Sequence, residues 1–168
     1  MSERARISIY DEKSYEPHKA VGYLLHRVRT EMVAAIDRDL ARDKYLAELG
    51  VSAAQFFILA SLGKLGTQSS SELCRGMSYD AGAMTRMIDR LEDKGLLRRQ
   101  RDTADRRLVR LELTEQGTAA LPYMRRVSMG VANRFLRDFS ASEARQLEGF
   151  LVRMLENGMT EAAQGSDA

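Results

Sequence analysis

The chain has 168 residues, of which 44% are hydrophobic and 30% are charged, and 26 Lys and Arg against 24 Asp and Glu give a formal net charge of +2. This apolar content excludes wholesale disorder, and the length fits one domain, or one domain with added dimerisation elements. No apolar run approaches the ~18 residues of a membrane span, and no signal-peptide pattern is present, so we expect a cytoplasmic protein.

The N-terminal half is predicted to begin with two helices. Apolar residues recur at helical spacing over about residues 17–48, which predicts one long helix. Ser52 and Gln55 then have the spacing of a capping box, which satisfies backbone N–H groups at a helix start. We expect this second helix to span about 52–62 and to end at the following glycines, Gly63 and Gly66.

A short helix and an amphipathic helix are predicted next. A second capping box at residues 69–72 starts a helix over about 70–76. The amphipathic helix begins near Ser78 or Asp80 and ends before Gly95, a residue typical of the position after a helix. Its apolar positions follow the i, i+3, i+4, i+7 pattern and are expected in the core: Met84, Met87, Ile88 and Leu91.

The pattern changes after Gly95. Residues 108–113 alternate between apolar and polar side chains, which is typical of a strand, and the polar segment 102–107 separates them from a short run at 97–101. These features predict a two-stranded β-hairpin. From Thr114, an expected N-cap, to about Gly158 the chain is predicted to form two helices that are broken near residues 139–140.

The small net charge is unevenly distributed. Residues 84–110 hold nine basic and five acidic side chains, a net charge of +4, and the rest of the chain carries −2. The excess positive charge therefore coincides with an amphipathic helix and the hairpin that follows it. This order of helix, short helix, amphipathic helix and basic hairpin is typical of a winged helix-turn-helix that binds DNA.

Three sequence blocks carry a family resemblance. They are residues 84–99, Asp105-Arg106-Arg107, and residues 111–117. In this order and spacing the chain resembles the MarR (multiple antibiotic resistance regulator) family, clearly over 67–117 and more loosely over 18–157. The resemblance implies a homodimeric winged-helix protein that binds a pseudo-palindromic double-stranded DNA operator, usually as a repressor, and is often released by a small aromatic or phenolic ligand.

The resemblance and the position of each residue give the candidate DNA contacts of the recognition helix. Thr85 and Arg86 match a Thr-Arg pair of the family, and Arg86 is expected to contact a guanine edge or a phosphate. Asp80 has two readings, a DNA contact or the N-cap of the helix. The full predicted set is Ser78, Tyr79, Asp80, Ala81, Gly82, Ala83, Thr85, Arg86 and Arg90.

The wing is expected to reach the minor groove, where arginine is favoured. The resemblance makes Arg107 the inserted side chain and Asp105 the carboxylate that orients it, with Arg106 as a phosphate contact. Arg98 and Arg99 are expected either to touch phosphates or to remain solvated.

The chain is expected to divide into DNA-binding and dimerisation parts. We assign residues 49–113 to DNA binding and the helices at 17–48 and 114–157 to the dimer interface, an obligate one in this mainly helical fold. Residues 1–16 and 158–168 are expected to be a flexible arm and a flexible tail. The alternative for the terminal helices is that they complete a monomeric core.

Regulation by a small ligand is expected from the resemblance. Aromatic walls and a few polar groups suit a phenol or an aromatic acid, although each residue has an alternative role in core packing or on the surface. The candidates are Tyr23, His26, Arg27, Phe56, Phe57 and Met77.

The low cysteine and histidine content bears on disulfides, metal sites and redox chemistry. With one cysteine and two histidines, we expect no disulfide framework, no metal and no cofactor, and no motif predicts an enzyme. Cys74 leaves two readings, a buried structural residue or the switch of a redox-responsive repressor.

Overall fold

The structure, a computed structural model, describes residues 8–77, 79–101 and 108–165, with side chains up to residue 160. It is mainly helical with one two-stranded antiparallel sheet, as predicted. The described residues fall into two compact units that meet within one helix, between Met129 and Gly130. The elements are α1 (Val21–Leu40), α2 (Lys44–Leu49), α3 (Ala53–Leu65), α4 (Ser70–Met77), α5 (Ala81–Asp93), β1 (Leu97–Arg101), β2 (Val109–Leu113), α6 (Glu115–Phe135) and α7 (Ala141–Gly165).

The long N-terminal helix of the prediction is in fact two helices. α1 begins at Val21 rather than residue 17 and ends at Leu40, and α2 starts again at Lys44. The cause of the break is Asp43, whose side chain accepts hydrogen bonds from the backbone N–H groups two and three residues later, both at 3.1 Å. This N-cap begins a new helix, which apolar periodicity alone does not reveal.

Part of the segment expected to be a flexible arm has local structure. The Asp11 carboxylate accepts hydrogen bonds from the backbone N–H groups of Lys13 and Ser14, which closes a turn. The Tyr10 hydroxyl accepts a hydrogen bond from the backbone N–H of Val21 at 3.2 Å, and so serves the uncapped start of α1.

The capping box at Ser52 and Gln55 is confirmed, but α3 runs past its expected end. Gly63 lies inside the helix, where a Cβ atom would stand 2.5 Å from a methyl group of Leu121. This glycine therefore serves the close approach of α3 and α6 and does not end the helix. The helix ends at Gly66, whose φ of 77° favours glycine.

The amphipathic helix α5 follows its prediction. Its apolar side chains Met84, Ile88 and Leu91 are buried, and Met87 is half-buried. Gly95 has a φ of 66° directly beyond the helix end, as expected for this position.

The hairpin is confirmed, with Leu97 opposite Leu113 and Arg99 opposite Leu111. Its predicted apolar face is only partly covered, because Leu111 is buried whereas Val109 is exposed. A feature that the sequence analysis missed is a further bridge, in which Gln68 exchanges backbone hydrogen bonds with Leu111 at 3.2 and 2.7 Å. The link before α4 thus anchors the base of the hairpin.

The two C-terminal helices begin where expected. The Thr114 hydroxyl accepts a hydrogen bond from the backbone N–H of Gly117, and Ser140 and Glu143 form a reciprocal capping box. α7 then continues through Gly158 to Gly165, so most of the predicted tail is helical.

Candidate nucleic-acid interface

The helix-turn-helix consists of α4 and α5, and the hairpin packs against α5. Leu73 of α4 and the apolar side of α5 are buried, together with Leu96, Leu97 and Leu111 around the hairpin. This shared core fixes both elements in one unit of the chain, and the polar side of α5 remains exposed.

The start of α5 is set by Asp80, whose predicted role as N-cap is confirmed, while its DNA contact stays a prediction. Its carboxylate accepts a hydrogen bond from the backbone N–H of Ala83 at 2.8 Å, so Asp80 is the N-cap. The small residues Ala81 and Gly82 that follow are exposed, which leaves the first turn open to a close approach.

Arginine and threonine side chains occupy the exposed side of α5. Thr85, Arg86 and Arg90 are exposed. The Thr85 hydroxyl donates to the backbone carbonyl of Ala81 at 2.8 Å. A Cβ atom on Gly82 would stand 3.4 Å from Nη1 of Arg86, so the guanidinium lies beside the first turn of the helix. This places positive charge on the predicted recognition surface.

Two arginines of the hairpin, both predicted DNA contacts, are held by carboxylates. Arg98 pairs with Glu112 across the hairpin, and Arg99 pairs with both Asp89 and Glu92 of α5. Desolvation opposes the charge on Arg99, but the hydrogen bonds with Asp89 and Glu92 outweigh it and raise the pKa of this guanidinium. Arg98 remains 66% exposed beside its partner, whereas Arg99 is 34% exposed, and a phosphate contact of either stays a prediction.

Four of the predicted DNA contacts lie outside the described residues. They are Ser78, Asp105, Arg106 and Arg107. Their assignment rests on the sequence motif.

A further cation, missed by the sequence analysis, ties the end of α5 to the rest of the unit. Lys94 donates a hydrogen bond to the backbone carbonyl of Gly50, and its ammonium lies 3.5 Å from Oε1 of Gln55. Burial, with a smaller contribution from Arg90, lowers the pKa of Lys94. The signal in the sequence was its position directly before Gly95, where a basic residue also favours the helix C-terminus.

A cavity of about 600 Å³ lies between α1, α3 and the end of α4. Of the predicted ligand contacts, Phe57 and Met77 line it, whereas Tyr23, His26, Arg27 and Phe56 are not among its lining residues. Periodicity gives the face of a helix, but the neighbour that closes a cavity depends on packing. The lining residues are Arg29, Thr30, Val33, Ala34, Asp37, Ala54, Phe57, Gly76, Met77 and Tyr79.

Two of these lining residues connect the cavity to the helix framework. The Asp37 carboxylate accepts a hydrogen bond from the backbone N–H of Ala53 at 2.6 Å and so holds the start of α3 against α1. Tyr79, predicted as a DNA contact, lies on the cavity wall directly before the N-cap Asp80. The cavity is therefore continuous with the segment that starts the recognition helix.

The remaining predictions concern a thiol, a metal site and a membrane span. Cys74 in α4 is a free thiol of intermediate exposure, and so not fully buried. Among the described residues, no group of three His, Cys, Asp or Glu side chains could hold a metal ion. The described helices are also too short or too polar to cross a membrane.

A family model and related proteins of known name all point to the same family. Residues 51–109 match the MarR family model. The chain is 32% identical over 136 residues to the multiple antibiotic resistance protein MarR of Escherichia coli K12, covering 80% of this chain and 90% of that protein. It is 29% identical over 141 residues, 84% of each chain, to the HTH-type transcriptional repressor MdtR of Bacillus subtilis.

Solved structures extend the likeness to the fold. A cysteine-to-serine mutant of Escherichia coli MarR complexed with operator DNA matches with a TM-score of 0.69 at 29% identity, over 80% of this chain and 93% of that one. Bordetella bronchiseptica BpsR, whose DNA binding is regulated by 6-hydroxynicotinic acid, matches with a TM-score of 0.71 at 26% identity, over 83% and 96% of the two chains.

Proposed function

The chain belongs to the MarR family of DNA-binding transcriptional regulators, and from this premise we propose that it is a cytoplasmic homodimeric repressor, and not an enzyme. In this proposal it binds a pseudo-palindromic operator and is released by a small aromatic or phenolic ligand. The observation that carries the proposal is the exposed side of α5 with Thr85, Arg86 and Arg90, joined through a shared core to an arginine-bearing hairpin.

DNA recognition is assigned to residues 49–113. The N-terminal half of α5 is proposed to enter the major groove, with Arg86 at a base edge or a phosphate and Arg90 at a phosphate. The wing is proposed to place Arg107, oriented by Asp105, in the adjacent minor groove. Operator DNA bound to the related Escherichia coli MarR supports this assignment.

Dimerisation is assigned to the terminal helices. Two half-sites about 34 Å apart require a two-fold partner, because one helix and one wing cover a single half-site. Within the described residues, five large apolar side chains of α1 are 37–49% exposed, and six of α7 are 37–73% exposed. Faces this apolar favour a second copy over water.

The effector is assigned to the cavity beside α4. Arg29 and Phe57 both line it, and a cation beside an aromatic residue suits an aromatic carboxylate or a phenolate. Regulation of the related BpsR by 6-hydroxynicotinic acid supports a ligand of this class. Occupancy would act on the segment at Tyr79, which leads into the recognition helix.

A mobility shift with the DNA that flanks the chain's own gene, repeated with a panel of aromatic acids, tests this function. We expect a salt-dependent shift that an aromatic acid reverses. Absence of a shift on every flanking fragment would contradict the proposal.

A pair of arginine variants locates the effector. Arg29→Ala should raise the ligand concentration needed for release by about ten-fold, the effect of losing one charged hydrogen bond. Arg27→Ala is the matched control, since Arg27 pairs with Glu31 on α1 and does not line the cavity. Equal effects of the two substitutions would show that the cavity is not the site.

A further inference from the structure

Arg99 of the wing is bonded to the recognition helix by three contacts. Its Nη2 lies 2.6 Å from Oδ1 of Asp89, and its Nη1 donates to Oε2 of Glu92. Its backbone N–H donates to the other carboxylate oxygen of Glu92 at 3.0 Å. Asp89 and Glu92 are three residues apart and therefore lie on the same side of α5. One planar guanidinium thus spans two successive acidic side chains of the helix.

The position of these contacts gives them a mechanical role. Arg99 is the third residue of β1, and its partners lie in the second half of α5. The shared core joins the two elements through apolar packing, and the hydrophobic effect is non-directional. The Arg99 contacts fix the orientation of β1 relative to α5, because a guanidinium fork is rigid and planar.

The neighbouring arginine provides a contrast. Arg98 pairs with Glu112, and both residues lie in the hairpin. That pair holds strand to strand and leaves the angle between hairpin and helix unaffected. The two adjacent arginines therefore have different partners and, in mechanical terms, different roles.

We propose that Arg99 is a positioning residue that fixes the angle of the wing to the recognition helix, so that both meet one half-site as a rigid body. This inference rests on the proposed function, in which helix and wing bind the same DNA. It replaces the sequence-based expectation that Arg99 touches a phosphate. It also assigns Asp89 and Glu92 to the anchoring of the wing, although both lie on a helix that faces DNA.

Glu→Gln variants test the proposal, because a charge role and a positioning role of Arg99 predict opposite changes in operator affinity. If Arg99 served DNA only by its charge, Glu92→Gln would free it and remove a negative charge, and binding would tighten. If Arg99 positions the wing, Glu92→Gln should weaken operator binding by about ten-fold. The backbone N–H and the guanidinium of Arg99 bind the two different carboxylate oxygens of Glu92, and glutamine replaces one of these oxygens by an NH₂ donor and removes the charge.

Glu112→Gln is the matched control. It removes the same charge from an exposed arginine pair within the hairpin, and we expect unchanged or tighter binding. Arg99→Lys keeps the charge but cannot span both carboxylates, so it should weaken binding as Glu92→Gln does. Tighter binding of Glu92→Gln, or wild-type binding of Arg99→Lys, would overturn the proposal.

A measurement without DNA separates the inference from the function on which it rests. A double-mutant cycle of Arg99→Ala and Glu92→Gln in urea unfolding should show a coupling free energy. Additive effects would overturn the contact itself. Failure of the wild-type protein to shift any DNA would instead overturn the proposed function, whereas a normal wild-type shift with unaffected variants would overturn the positioning role alone.

Discussion

At the scale of single residues, the structure explains why the motif block 111–117 ends in a glycine, Gly117. It lies in the first turn of α6, where the chain passes against the backbone of Leu96. A Cβ atom at this position would overlap the Leu96 carbonyl oxygen, and backbone cannot move aside as a flexible side chain can. The glycine therefore allows α6 to leave the hairpin at close range.

Gly117→Ala is expected to destabilise the protein by about 2 kcal/mol, since the added methyl group forces the backbone apart. Gly130→Ala, in the same helix, is the control. A Cβ there meets nothing within 4 Å, so a gain of about 0.5–1 kcal/mol from lower unfolded-chain entropy is expected. Urea unfolding of both variants measures the difference, and equal stabilities would contradict the assigned contact.

At the scale of elements, α4 begins at a charged capping box that also contacts the wing. Glu72 accepts hydrogen bonds from the backbone N–H and the hydroxyl of Ser69, and its Oε2 lies 3.0 Å from Nη1 of Arg110 in β2. The backbone hydrogen bond from Ser69, followed by that from its hydroxyl, lowers the pKa of Glu72, and Arg110 adds to the effect. The first helix of the DNA-binding motif and the hairpin are thus connected by an ionised carboxylate.

This connection predicts a pH dependence. Because the folded pKa of Glu72 is lowered, its charge stabilises the fold above its unfolded pKa, and this stabilisation is lost as the pH falls through the folded value. Wild type should be more stable than Glu72→Gln at neutral pH, and the difference should fade below about pH 4.5. Urea unfolding across pH, repeated in a Ser69→Ala background where the difference should shrink, checks this. A difference that is constant with pH would contradict the assignment.

At the scale of the whole molecule, the distribution of exposed apolar side chains is uneven. In α7 they include Phe150, Leu155 and Met159, which are 52%, 67% and 73% exposed. Side chains of this size are costly to leave in water, and the helix is long enough to present them over several turns. This surface is the physical basis for the proposed dimer.

Leu155→Glu is expected to raise the dimer dissociation constant by about 100-fold or more, because an unpaired carboxylate in an apolar interface costs several kcal/mol. Thr160→Glu places the same charge about 140° around the helix and is the control. Sedimentation equilibrium measures both. A monomeric wild type, or equal association of the two variants, would contradict the proposed interface.

The sequence by itself determined the fold class and the positions of most elements. Helix starts at Ser52 and Ser69 follow from local hydrogen bonds between residues three apart, and the helical and strand periods follow from burial of one face. These signals are local, so a single chain displays them. The charge of the window 84–110 and the motif spacing then indicated the DNA-binding family.

The tertiary structure decided what depends on neighbours distant in sequence. Only packing shows that Gly63 receives α6 instead of ending α3, and that Gln68 joins the hairpin at Leu111. The partners of Arg98 and Arg99 were also undetermined, since an arginine-rich hairpin has the same composition whether its cations face phosphates or carboxylates. Such contacts join segments whose separation along the chain carries no periodic signal, and they exist only once the backbone is folded.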